Sequence, residues 1–183
     1  MTTGRIVILS GPSGVGKDTV IDAWRNVNPR VMRVVAYTTR SPRAGETHGV
    51  DYHFSSRQDF DRRAAAGEFL EFKEVHGNGY ATPLLDLERM LAEGKIAILK
   101  IDVQGALNAM TLRPDALTVF LMPPSLDELE RRIHGRATDS PQAIATRLKN
   151  AKDELAMAPR YQHQIVNWDV NQTVQALEAL LAA

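Results

Sequence analysis

An α/β fold built on a parallel sheet is what the sequence predicts, and three observations carry that expectation. Short apolar, β-branched runs alternate with amphipathic stretches of helical spacing. The first of those runs leads straight into a glycine-rich turn. The segments between runs are long enough for helical crossovers, which join parallel strands and lay helices on both faces of the sheet.

Taken in order, residues 6–9 read as a buried strand and 18–24 as the helix after the turn. Residues 31–37 form another apolar run, and 41–49, rich in Pro, Gly and charge, a loop. Ser55, with Gln58 three residues on, predicts a capping box opening a helix to about Gly67. Strand character returns at 69–75. Residues 83–92 carry leucines at helical spacing and stop at Gly94; 96–101 is a buried strand ending at Asp102, and 117–122 another, halted by Pro123 and Pro124. Ser125, with Glu128 as box partner, opens a helix to about Arg136; 137–140 is a polar break, and Pro141 begins a helix to about Met157. A short strand at 164–167 and a helix at 174–181 close the pattern. Segment 31–82 breaks the strand–helix rhythm with extra strands and reads as an insertion into the core.

The 183 residues, 44% hydrophobic and 24% charged, suit one domain able to bury its own core. No targeting segment or membrane span is visible. With no cysteine there is neither a disulfide framework nor a thiolate metal site, which fits a cytoplasmic protein. Lys+Arg and Asp+Glu both number 22, so a general nucleic-acid binder is not expected, and any positive charge serving an anionic ligand must be local.

The chemistry starts at the turn. Gly11, Pro12, Ser13, Gly14, Val15, Gly16, Lys17, Asp18 and Thr19 fit a phosphate-binding loop at all but one position. Its glycines let successive N–H groups converge on phosphate oxygens, Lys17 adds a mobile charge, and the following helix aims its positive end at the same anion. The loop therefore predicts a nucleoside triphosphate site. The irregular position is Asp18, where a magnesium-binding hydroxyl is usual. It is either a metal ligand or a first-turn residue favoured by the helix dipole.

Arginines recur in two clusters, Arg40 with Arg43 and then Arg131, Arg132, Arg136 and Arg147, which points to more than one phosphate-bearing ligand. Glu71, on an apolar strand, is either an outward-facing residue or an acceptor for the two adjacent donors on the guanine edge. Asp102 ends a buried strand where ligands of open α/β sheets collect, or it caps a helix. The histidines, at 48, 53, 76, 134 and 163, lack metal-site spacing.

Together these residues resemble the guanylate kinase family over essentially the whole chain. The most specific stretch is 38–46 with Gly49, Asp51, Tyr52 and Phe54, joined by 67–71 and by Gly77 and Asn78. The resemblance implies an ATP:GMP phosphotransferase of purine nucleotide metabolism, acting on GMP and dGMP, with magnesium accompanying ATP and no obligate protein, nucleic-acid or membrane partner. It implies a P-loop kinase core (1–30, 83–124 and 148–183), a GMP-binding subdomain (31–82) and a helical lid region (125–147). It gives GMP phosphate binding to Arg40, Arg43, Tyr52 and Tyr80, and guanine recognition to Glu71, Thr82 and Asp102. ATP falls to the loop, Lys17 and Arg132, with Asn167 near the adenine; Arg136 and Arg147 join Lys17 and Arg40 around the transferred group.

Besides Asp18, three positions depart from the family's pattern: Ala36 for a serine, Ala81 for a glycine, and Lys100 for an acidic residue. Two other readings stay open: a ribose-bisphosphate kinase, which also tolerates Asp after the loop lysine, and a non-catalytic guanylate kinase-like protein-binding module.

Overall fold

The first strand, β1 (Arg5–Ser10), is buried from Ile6 onward and divides its side chains between two cores. Ile6 and Ile8 enter one, Val7 and Leu9 the other, as the two-residue period of a strand dictates when both faces are covered. The computed structural model describes residues 3–75, 77–134 and 141–182. Among these, β1 lies in the middle of a five-stranded sheet with β2 (Val31–Arg33), β7 (Ile96–Lys100), β8 (Leu117–Met122) and β9 (His163–Val166), in the order β2-β7-β1-β8-β9. Every pairing in it is parallel.

Helix α1 (Lys17–Val27) and the last helix, α7 (Val170–Ala182), cover one face with Val20, Ile21, Trp24, Val174 and Leu177. On that face the Trp24 indole N–H and the Asn28 amide both donate to Glu178 and so tie α1 to α7. Helices α3 (Leu84–Ala92) and α4 (Val103–Leu112) cover the other with Leu87, Val103, Ala106 and Ala109. The expected parallel-sheet core is therefore present, with one helix, α4, that the sequence pattern did not reveal. Gly105 in its first turn lowers helix propensity there, and the Asp102 cap compensates by accepting from the Gly105 N–H at 2.9 Å.

A second sheet, in the order β4-β3-β6-β5, is built from β3 (Tyr37–Thr38), β4 (His53–Phe54), β5 (Phe69–Val75) and β6 (Asn78–Pro83). It packs against α2 (Arg57–Ala65) through Phe60, Phe69 and Ala81. The apolar run 31–37 thus serves two sheets: β2 follows β7 as far as Arg33, and Tyr37 pairs with His53 and Ala81. The cap of α2 is Ser56 rather than Ser55, its hydroxyl accepting from the Asp59 N–H at 3.1 Å. Ser125 does open α5 (Leu126–His134), accepting from the Glu128 N–H. Leu129 and Ile133 of α5 pack against Ala151 of α6 (Pro141–Leu155). The predicted break at 137–140, Arg136 and His76 lie outside the described residues. Among the described residues no helix is long and apolar enough to cross a membrane.

Candidate active site

The loop after β1 needs its glycines for two physical reasons. Gly11, at φ 149°, runs so close to β8 that a Cβ would lie 2.5 Å from the Leu121 carbonyl oxygen. Gly16, at φ 98°, is the left-handed N-cap of α1, a conformation that costs glycine little. Lys17, the first residue of the helix, folds back to donate to the carbonyls of Gly11 at 2.5 Å and Pro12 at 3.1 Å. The loop, α1 and the sheet edge enclose a cavity of about 650 Å³ whose lining includes Lys17, Asp18, Thr19, Arg132, Glu154 and Asn167.

Asn167 is buried and braces the loop: its amide donates to the Val15 carbonyl at 2.9 Å and its oxygen accepts from Thr173. Arg132 is held above the loop by Glu128 at 2.7 Å and reaches the Val15 carbonyl at 3.4 Å. Arg131, paired with the same Glu128, is exposed. Burial raises the Glu154 carboxyl above its usual range, against the opposing pull of Lys17.

Asp18 is the acidic residue of the first turn of α1, one of the two places expected for it, and it is ion-paired there. Its Oδ1 accepts from Lys100 Nζ at 2.6 Å and from the Arg33 guanidinium at 3.3 Å. Desolvation in the cavity mouth pushes this carboxyl up, but Lys100, Arg33 and Lys17 outweigh it and hold the group below the usual carboxylate range. A divalent ion at Oδ1 would compete there with two cations. Among the described residues no cluster of three or more His, Asp or Glu offers an alternative. The donor set therefore does not fit a divalent ion resident in the protein.

Arg40 is fixed in the second sheet's loop by a two-pronged pair with Glu46, both contacts 2.8 Å, and by stacking 5.3 Å from the Tyr52 ring centre. Donation to Glu46, and to Tyr80 after the opposing cost of burial, raises its pKa above the arginine norm. The same Arg40 contact draws the Glu46 carboxyl down to about 2. Tyr52 and Tyr80 meet edge to face, and burial and Tyr80 push the Tyr52 phenol up. Arg43 is exposed beside them, its N–H donating to Glu46. Glu46, which anchors this group, was quoted in the sequence motif without a role; the Arg-x5-Glu spacing across a Pro-Gly loop was its available signal.

A smaller cavity, about 150 Å³, opens between β5, β6 and the start of α4, lined by Ala36, Glu71, Lys73, Ala81, Asp102 and Gly105 among others. Glu71 is inward and buried, 5% exposed, while Phe72 points out at 52%. A register shift between Phe69 and Glu71 resets the alternation along β5. Thr82, directly across the β5–β6 ladder, donates to Glu71 at 2.6 Å. Burial raises the Glu71 carboxyl, and Thr82 and Lys73 pull it partly back. Lys73, missed by sequence reasoning although it lies two residues along the same strand face, ion-pairs with Asp102, and burial lowers its pKa. Asp102 acts as the cap of α4, the second of the two roles its position allowed.

Of the expected residues, the loop, Arg132 and Asn167 converge on the larger cavity, Glu71 and Asp102 on the smaller, with Thr82 beside it; Tyr52 and Asp102 line both. Arg147 lies on α6, half-buried.

Residues 3–183 match the guanylate kinase family model. A guanylate kinase of Thermobifida fusca is 46% identical over 179 residues, covering 98% of this chain and 91% of its own. One from Clostridium perfringens is 42% identical over 180 residues, covering 98% and 83%. The crystal structure of guanylate kinase from Anaplasma phagocytophilum superposes with a TM-score of 0.79 at 34% identity, covering 100% of this chain and 86% of that one. A shikimate kinase from Bacteroides thetaiotaomicron, at 19% identity and a TM-score of 0.52, shares the fold alone. With a phosphate-loop cavity that shares Tyr52 and residues 100–102 with a second cavity, and a match along nearly its full length, the chain belongs to the guanylate kinase family.

Proposed function

We propose that this protein transfers the γ-phosphoryl group of ATP to GMP, and to dGMP, giving ADP and GDP or dGDP. The observation that carries the reading is the buried Glu71 carboxylate facing a cavity that shares its inner wall with the phosphate-loop cavity. Two adjacent acceptor oxygens in a dry pocket match the N1–H and N2–H2 donors of guanine, and an adenine or pyrimidine edge would leave one of them unpaired. The guanine lies against Glu71, Thr82 and Asp102, and its phosphate toward Arg40, Arg43, Tyr52 and Tyr80. The triphosphate occupies the loop and Lys17, with Arg132 and the loop-bracing Asn167 closing that side. Arg136, outside the described residues, and Arg147 join from the region 125–147.

No general base is required, because a phosphate monoester has a second pKa of ~6 and GMP arrives as an anionic nucleophile at neutral pH. An oxygen of the GMP phosphate forms the new P–O bond to the γ-phosphorus as the bond to the β–γ bridging oxygen breaks, and ADP leaves with that electron pair. The protein's task is alignment and charge: Lys17 exchanges its two loop carbonyls for phosphate oxygens, and the arginines neutralise the approaching anions. Magnesium enters as part of the substrate MgATP. Coupled ADP release with GMP, dGMP, AMP, CMP and UMP tests the reading. Turnover confined to GMP and dGMP is expected; none with any of the five overturns it in favour of a ribose-bisphosphate kinase or a binding module.

A further inference from the structure

We propose that Lys100 is a catalytic residue of the transfer and that Asp18 is its positioning partner, an assignment that rests on the GMP kinase reading above. The residues lining both cavities are Tyr52, Lys100, Ile101 and Asp102, and Lys100 is the only cation among them. The phosphoryl group crosses from donor to acceptor where those cavities join, so the ammonium stands beside the path of the moving charge. Its placement follows from the sheet: Lys100 ends β7 in register with Leu9 of β1, two residues before the loop's first glycine.

A lysine stem is flexible, and an ammonium free to wander would do little for a transition state. Here the stem is only 19% exposed and its Nζ is bonded to Asp18 at 2.6 Å. Asp18 is in turn held by Arg33, whose guanidinium is clamped by the carbonyls of Val50 at 2.6 Å and Asp51 at 2.7 Å. One carboxylate between two cations leaves a net charge of +1 beside the phosphates. Asp18 alone would repel the nucleotide; in this triad its charge is cancelled, and it fixes where the surplus positive charge lies. The fixed ammonium thus supplies, at the cavity junction, charge neutralisation that the donor set does not let a resident divalent ion supply. Lys100 keeps its proton throughout: it stabilises the three oxygens of the transferred group while the bond to the GMP oxygen forms and the bond to the bridging oxygen breaks.

The test measures kcat, and the calorimetric affinities for GMP and for MgATP, in native protein, Lys100→Met, Lys100→Arg and Asp18→Asn. It adds an electron paramagnetic resonance titration of nucleotide-free protein with Mn2+. The expected result is a loss of roughly 10²-fold in kcat for Lys100→Met, the size found when one transition-state donor is removed. GMP binding by that variant, which also reports that it is folded, stays near the native value. Lys100→Arg recovers part of the loss, Asp18→Asn lies between, and native protein retains no Mn2+. Native-like kcat in Lys100→Met, a loss matched by equal weakening of both affinities, or a tightly held Mn2+ in free native protein would each overturn the Lys100 assignment while leaving the kinase reading standing. Absence of GMP-dependent turnover in native protein would overturn both.

Discussion

Glu71→Gln separates recognition of the base from support of the fold, because the structure gives the two effects different signs. The Glu71 carboxylate is buried, and burial raises its pKa above the unfolded value. A native state that binds a proton more readily than the unfolded chain loses stability as pH rises from the ordinary carboxylate range through the raised value, and the deficit stays constant above it. Glutamine has the same shape, carries no charge to desolvate, and keeps an oxygen for the Thr82 hydroxyl now at 2.6 Å. Lys73 loses the nearby Glu71 charge that favours its protonated form but keeps its ion pair with Asp102, which limits the opposing loss. At pH 7 the variant is therefore expected to be at least as stable as native protein, with that pH-dependent loss removed. Recognition moves the other way. One of two acceptors becomes a donor facing a guanine N–H, and a buried mismatched donor costs about 1–3 kcal/mol, roughly 5- to 150-fold in kcat/KM for GMP. Steady-state kinetics with GMP, run beside thermal unfolding from pH 5 to 8, measures both. Unchanged kcat/KM together with a lower Tm would refute the reasoning and make Glu71 a structural strand residue.

Ala36 lines the base cavity without a hydroxyl; Ala36→Ser is expected to tighten GMP by about 0.5–1.5 kcal/mol, one net hydrogen bond, with no gain in calorimetric titration counting against that placement. Gly105→Ala would set a Cβ 3.2 Å from Glu71 Oε2, so it should raise KM for GMP with kcat for bound substrate little changed; an unaltered KM would mean that the base does not approach α4. Glu46→Gln removes the charge that fixes Arg40, and a higher KM for GMP is expected. Because the Glu46 carboxyl is drawn down to about 2, its stabilisation is present above the ordinary carboxylate range and lost as pH falls through about 2. Acid titration of the variant should accordingly lack that contribution, and superimposable acid-unfolding curves would show that the pair adds no pH-dependent stability.

What could be read from the chain follows how local each feature is. The phosphate loop is made by consecutive residues whose backbone N–H groups, left-handed glycines and helix N-terminus act together, so its chemistry is written in nine neighbouring letters. The inner strands β1, β7 and β8 are legible for a related reason: buried on both faces, they need nearly unbroken apolar runs. The base cavity is different. Its walls come from β5, the β6 neighbourhood and α4, and the facing of Glu71 depends on a register shift against β6 that no local pattern records. Residues 31–37 look like one strand because apolar, β-branched character says that a segment pairs but not with what; the partner changes between Arg33 and Tyr37.

Asp18 and Lys100 carry this furthest. In the sequence each is a separate departure, an acid where the phosphates would favour a neutral hydroxyl and a base where the resemblance implies an acid, and each alone argues against efficient chemistry. They lie 82 positions apart, yet the fold sets them 2.6 Å from each other. Asp18 is exposed, so solvent screens the attraction to about 1 kcal/mol or less, but the pairing cancels charge, and neither residue can be judged as if the other were absent. A sequence reading of site residues one at a time assigns two defects. The pair has no net charge, and Arg33, bonded to Asp18 from outside both cavities, leaves the three groups together with one positive charge, while Lys100 is the cation on the wall the cavities share.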